Sequence, residues 1–159
     1  MTGPELDPKG YYTIIMSKLA NTYYKDTTIK QKVLGEDKNP KQLFPEKTLI
    51  SNLQTGHLDA VAAYKHEPIA RGLEYVELPP KINLGNPLFS DFYKTTTYHT
   101  PNGQIVYGKP IYYSVTIPDP HRNLAGARAF VEMLLSSQGS SILQKDGLNH
   151  IKPVVQGTC

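Results

Sequence analysis

Apolar side chains recur with a helical period over residues 11–24, where Ile14, Ile15, Leu19 and Tyr23 share one side and Lys18 and Asn21 the other. The same period returns over residues 48–55, with Leu49, Ile50 and Leu53 as the inner face and Gly56 as a natural residue just past the end. A third helix is predicted over residues 124–135, with Asn123 as its cap and Ala127, Phe130, Met133 and Leu134 turned inward. Gly139 interrupts the pattern, and residues 140–145 make a last short helix that closes near Gly147. The period changes between these helices. Residues 60–64 form a short, nearly all-apolar run, as a buried parallel strand would. Residues 74–78 read as a second strand, ended by Pro79 and Pro80. Residues 92–98 and 104–107 flank Asn102-Gly103, a hairpin signal between two β-prone runs. Residues 109–117 are rich in β-branched and aromatic side chains until Pro118 and Pro120 stop them. Residues 2–10 and 35–45 are turn-rich or polar and read as loops. Strands alternating with helices predict an α/β fold, with a mixed sheet containing 60–64 and 109–117, a β-hairpin and C-terminal helices.

A chain of 159 residues supports one domain with a real core. The formal net charge is +3, and the basic residues are scattered among acids, as in Gly35-Glu36-Asp37-Lys38. That pattern lacks the clustered basic face of a nucleic-acid binder, so no nucleic acid is expected as a partner. No stretch has the apolar length of a membrane span. Met1 is followed by Thr2-Gly3-Pro4-Glu5 rather than a basic patch and an apolar run, so no secretion signal is read here; if the protein is exported, that signal lies upstream. The single cysteine, Cys159, permits no disulfide within one chain; it either links two copies by oxidation or simply marks the chain end.

Chemical motifs are few. The five histidines (57, 66, 99, 121 and 150) stand far apart and form no paired metal-ligand spacing, which favours solvent-facing or turn positions. Eleven tyrosines include the pairs Tyr11-Tyr12, Tyr23-Tyr24 and Tyr112-Tyr113. Without a basic groove beside them, they read as mixed packing, one ring inward and one at the rim, rather than as base-stacking platforms. Neither a nucleophile-elbow motif nor a glycine-rich phosphate loop is present, so an enzyme is not expected.

Three segments together carry a resemblance. Leu6-Asp7-Pro8-Lys9-Gly10-Tyr11 looks like a turn ahead of a helix; Leu53-Gln54-Thr55-Gly56-His57-Leu58-Asp59 leads into the apolar run that ends in Tyr64; and residues 129–139 with 142–148 look like a pair of closing helices. With Tyr75-Val76-Glu77-Leu78-Pro79 and Ile82-Asn83-Leu84-Gly85-Asn86, they resemble the type II periplasmic solute-binding proteins of ABC importers, specifically the molybdate/tungstate-binding branch. The resemblance implies one lobe of a two-lobed fold. Residues 1–117 would be a ligand-lobe segment and 118–159 the closing helices and tail of a single partial domain. An amino-terminal lobe of roughly eighty residues or more is expected to be absent from the chain.

The resemblance also implies a periplasmic or extracytoplasmic protein, a permease partner, no cofactor, and molybdate or tungstate as ligand. Asp7, Gly10, Tyr64 and Glu67 would be the ligand-binding residues. A tetrahedral dianion favours neutral donors and positive dipole ends, which helix N-terminal N–H groups and a phenol supply. Gly10 and Tyr64 would make those contacts; the alternative is a plain helix entry and a packed tyrosine. An ionised Asp7 beside an oxyanion is repulsive unless its oxygen meets the metal of a bound tungstate or molybdate, or unless it shapes the turn before Pro8. Where archaeal relatives carry a glutamate before the strand tyrosine, this chain has Ala63, and its nearest acid is Glu67.

Two other function classes remain. An effector-binding domain of a transcriptional regulator would share the fold, and a helix–turn–helix upstream would reveal it. A small tyrosine-lined hydrolase would show turnover of esters or phosphates. In the solute-binding reading, the apolar face of residues 124–135 needs a partner, so the chain is expected either to self-associate through its C-terminal helices or to fold them onto its own sheet.

Overall fold

The computed structural model describes residues 1–5, 7–119 and 122–153. Leu6, Pro120, His121 and Cys159, which entered the reading above, lie outside the described residues. The chain divides into two compact units. The first comprises Met1–Ala63 and Val76–Ile111; the second comprises Tyr64–Tyr75 and the described part of 112–159.

The first unit is organised around α1 (Pro8–Tyr24). This helix begins before the apolar periodicity does, because its start is set by a cap. The Asp7 side chain accepts from the Lys9 N–H, and Pro8 stands at the first turn, where a missing N–H is harmless. Lys25 closes the helix in the left-handed region at φ 55°, its N–H donating to the Asn21 carbonyl. As the spacing predicts, Ile14, Ile15 and Leu19 are completely buried. Tyr23 is not; it lies 41% exposed and packs edge-on against Tyr24. The core joins these residues to Leu34 of α2 (Ile29–Leu34), Leu84, Tyr93 and Tyr98. Each aliphatic side chain so buried contributes about 1.5–3 kcal/mol. Leu49 of α3 (Glu46–Gln54) is buried, with Ile50 and Leu53 half-buried beside it.

Helix α4 (His66–Arg71) belongs to the second unit, and α5 (Ser90–Lys94) to the first. The predicted hairpin is present in shortened form, because residues 92–94 of its expected first arm belong to α5 instead. Strands β1 (Thr97–His99) and β2 (Ile105–Tyr107) pair antiparallel, with Tyr98 opposite Val106. The turn is longer than the Asn-Gly dipeptide suggests. Thr100 N–H bonds to the Gln104 carbonyl at 2.9 Å, and Gly103 takes the positive φ of 83° that closes the loop.

The larger mixed sheet is not formed. Among the described residues the only ladder is β1–β2, and 60–64, 74–78 and 109–117 contain no strand. Their side chains are exposed or half-buried, apart from Pro110. Apolar and β-branched composition makes a segment suitable for a sheet, but a strand exists only when a neighbour accepts and donates its backbone hydrogen bonds. The fold is therefore α/β in composition but mostly helical.

In the second unit, α6 (Leu124–Leu135) spans the predicted range, and the Asn123 side chain caps it through the Gly126 N–H. α7 (Ser137–Lys145) begins earlier than expected. The break falls at Ser136, whose hydroxyl accepts from the Gly139 N–H at 3.2 Å, and Gly139 lies buried inside the helix. A side chain there would collide with the Met133 and Leu134 carbonyls. No residue of α6 is fully buried, and Phe130 stands 55% exposed.

Two consequences are measurable. Gly10 is buried, and a Cβ on it would lie 2.6 Å from the Thr2 carbonyl oxygen and 2.7 Å from Pro4. Gly10→Ala is expected to lower stability by about 1–3 kcal/mol in denaturant unfolding, through forced movement of the 1–5 segment. Burial pushes the Tyr98 phenol up, with the Asp37 carboxylate adding to the effect. The unfolded chain then releases this proton first, near pH 10, while the folded chain holds it. Stability should be intact below about pH 10 and fall as pH rises from there through the folded value. Tyr98→Phe should flatten that alkaline decline in thermal unfolding.

Candidate functional site

The residues expected to meet a ligand divide between the units: Asp7 and Gly10 stand at the start of α1, and Tyr64 and Glu67 at the start of α4.

At α1, the Asp7 Oδ1 accepts from the Lys9 N–H at 2.9 Å, and the Asp7 carbonyl accepts from the Gly10 N–H at 2.9 Å. Two N–H groups expected to face an anion are thus already engaged, and Pro8 has none. Gly10 earns its place by letting Thr2 and Pro4 lie against the helix. Lys9 is buried, and its ammonium contacts the Glu46 carboxylate at 2.9 Å, so this cation is aimed at α3. The remaining carboxylate oxygen, Asp7 Oδ2, is buried without a hydrogen-bond partner among the described residues. An unsatisfied carboxylate oxygen out of water is costly, by about 1–3 kcal/mol or more. Such an atom is suited to a hard cationic centre.

At α4, the Tyr64 N–H donates to Glu67 Oε2 at 3.0 Å, and the Glu67 N–H donates to the Tyr64 carbonyl at 2.9 Å. Glu67 lies in the first turn, where a carboxylate also complements the helix dipole. The Tyr64 ring stacks on His66 with centroids 6.1 Å apart and planes 12° apart. His66 in turn meets Tyr113, with Nδ1 and the phenol oxygen 3.2 Å apart and the rings edge-on at 5.6 Å. Sequence reasoning missed His66 and Tyr113 as neighbours of Tyr64. A separation of 47 residues leaves no spacing signal between them. Among the described residues, no three His, Cys, Asp or Glu side chains gather as a metal cluster, and no helix is long and apolar enough to cross a membrane.

Comparison with known proteins assigns the chain to a family. Residues 1–149 match the model of the bacterial extracellular solute-binding proteins. The chain belongs to this family. A solute-binding protein of Petrotoga mobilis is 36% identical over 156 residues, covering 94% of this chain and 48% of the relative. The molybdate/tungstate-binding protein of Pyrococcus abyssi is 29% identical over 172 residues, covering 96% of this chain and 50% of the relative. A Haloferax volcanii protein, provisionally named an ABC transporter molybdenum-binding protein, is 33% identical over 138 residues, covering 87% of this chain and 43% of the relative. The chain spans about half the length of the curated relatives it matches. Within the solute-binding family, its resemblance to the molybdate/tungstate branch is carried by the relatives' names as well as by the motifs.

The two oxygens of Asp7 make separable predictions. Asn at position 7 keeps an oxygen for the Lys9 N–H and removes the buried charge, so Asp7→Asn should be at least as stable as the native chain. Asp7→Ala loses the cap and should cost about 1 kcal/mol. Urea unfolding of the three proteins reads the order directly; an Asn variant clearly less stable than the native chain would show that Oδ2 has a stabilising partner.

Proposed function

We propose that this chain is part of the substrate-binding component of an ABC importer and captures a tetrahedral oxyanion, tungstate or molybdate. The observation that carries the reading is the buried, unpartnered Oδ2 of Asp7 at the head of α1. A carboxylate oxygen held there repels a bare anion but suits direct contact with the hard metal centre of the oxyanion. Family membership and the names of the relatives from Pyrococcus abyssi and Haloferax volcanii support the same ligand class.

In this reading Tyr64 contributes a neutral phenolic O–H, which stabilises an oxyanion without adding charge. Gly10 lets the backbone close up beside Asp7. Glu67 serves the same contact through the Tyr64 backbone, whose N–H donates to its carboxylate. Only Asp7 touches the metal, and only through the bound oxyanion. The oxyanion is cargo, so no cofactor and no catalytic residue is assigned. The protein containing this chain would work outside the cytoplasm and deliver its ligand to a permease. The exposed Phe130, Met133 and Leu135 of α6 suit a protein–protein contact, self-association included.

A ligand that binds only the native state raises the melting temperature by mass action. Tungstate and molybdate should raise it, and sulfate and phosphate should not. In the full-length protein, Tyr64→Phe should weaken tungstate binding by about 0.5–1.5 kcal/mol in calorimetry. In the full-length protein, an equal response to sulfate, or none to any of the four anions, would sink the proposal. Light scattering on the same samples reads self-association.

A further inference from the structure

Tyr64 ends a segment that has no strand ladder to hold it, since residues 60–64 form none among the described residues. Contacts other than a ladder hold it. The structure supplies them on both parts of the residue. Glu67 fixes the backbone: its carboxylate takes the Tyr64 N–H at 3.0 Å while its own N–H returns to the Tyr64 carbonyl at 2.9 Å. His66 fixes the ring, lying nearly parallel to it at 6.1 Å and 12°. Tyr113 fixes His66, edge-on at 5.6 Å with its phenol oxygen 3.2 Å from Nδ1. The turn at Gly147 backs the same helix. With φ 83° and no side chain, Gly147 lets the chain pass close to Ile69 and to the His66 backbone; a Cβ there would lie 2.6 Å from Ile69 Cδ1 and 3.2 Å from His66 Cα.

We propose that Glu67, His66 and Tyr113 form a clamp that positions the Tyr64 ring for ligand capture. The part of this inference that concerns capture rests on the oxyanion reading above. Glu67 then acts on Tyr64 rather than on the ligand. That assignment is the physically easier one, because a second carboxylate turned toward a dianion would be repulsive at short range. A phenol aimed in advance also binds more tightly than one that must be ordered on binding, since ordering a side chain opposes association. Two parts of the clamp are distinguishable by chemistry. The Glu67 contact needs only an acceptor oxygen, which an amide retains, while the His66 contact needs both a flat ring and a polar nitrogen.

The test uses the full chain, with nuclear magnetic resonance on Tyr64 and His66 and calorimetry with sodium tungstate. Tyr113 is 61% exposed, so Tyr113→Phe should fold normally. It should move the His66 Nδ1 resonance and the Tyr64 ring resonances, and weaken tungstate roughly two- to tenfold, the loss expected from one neutral hydrogen bond. His66→Leu, which removes the stacked ring, should move the Tyr64 resonances further. Glu67→Ala should weaken tungstate by a similar factor, and Glu67→Gln should restore near-native binding; a large loss in Glu67→Gln would show a direct contact with the ligand and overturn the clamp. Tyr64 resonances unmoved in Tyr113→Phe and His66→Leu would overturn it too. So would variants that move those resonances yet bind tungstate as the native chain does, where Tyr64→Phe does not. If the resonances move as expected while the native chain ignores tungstate, the positioning of Tyr64 is upheld and the oxyanion reading alone fails.

Discussion

Burial of one face of α1 is the interaction on which the first unit depends. Ile14, Ile15 and Leu19 lose all contact with water only because Tyr93, Tyr98, Leu34 and Leu84 close over them. Tyr93 is placed from several directions. Its hydroxyl donates to the Pro80 carbonyl and accepts from the Asn86 N–H, and Gly108 brings the chain against its carbonyl at a distance no side chain would permit. The ends of the helix are set separately, by the caps at Asp7 and Lys25. Lys18, partway along, reaches the Thr97 carbonyl of β1 at 3.0 Å, so the hairpin is tied to the same helix that carries Asp7 at its head.

That seat explains why Asp7 can hold an oxygen without a partner. A buried unsatisfied carboxylate oxygen is destabilising, and it persists only where the surroundings over-determine its position. Here the other oxygen caps the Lys9 N–H, Pro8 restricts the backbone, and Lys9 is drawn to Glu46. The helix start is rigid for structural reasons, and the oxygen left over is the chemically unusual atom. Sites of function are where such local conflicts are expected.

The second unit is assembled on different terms. Its helices α6 and α7 are well capped, yet no residue of α6 is fully buried. Local hydrogen bonds at Asn123 and Ser136 define where these helices begin and end, but capping contributes only about 1 kcal/mol each and buries little apolar surface. Tyr64, His66 and Tyr113 show the same economy: a few specific contacts between partly exposed side chains hold the first turn of α4.

By itself the sequence determined the features that depend on neighbours along the chain. The span of α6, the inward face of Ile14, Ile15 and Leu19, and the hairpin around Asn102-Gly103 were all legible, because helical periodicity, capping residues and turn residues act over a few positions. Family membership was legible for a related reason, since motif residues recur along most of the chain. The candidate site was legible only as residue types at Asp7, Gly10, Tyr64 and Glu67. Tertiary structure decided the rest. Short helices such as α2 and α4 are too brief to show a period, and Tyr23 follows the helical spacing but passes beyond the core that would bury it. Residues 60–64 and 109–117 have the composition of strands and no strand partner among the described residues. His66 meets Tyr113 across 47 positions. Pairing of strands, burial of a given side chain and contact between distant rings are properties of what lies opposite in space, and local sequence holds no record of that.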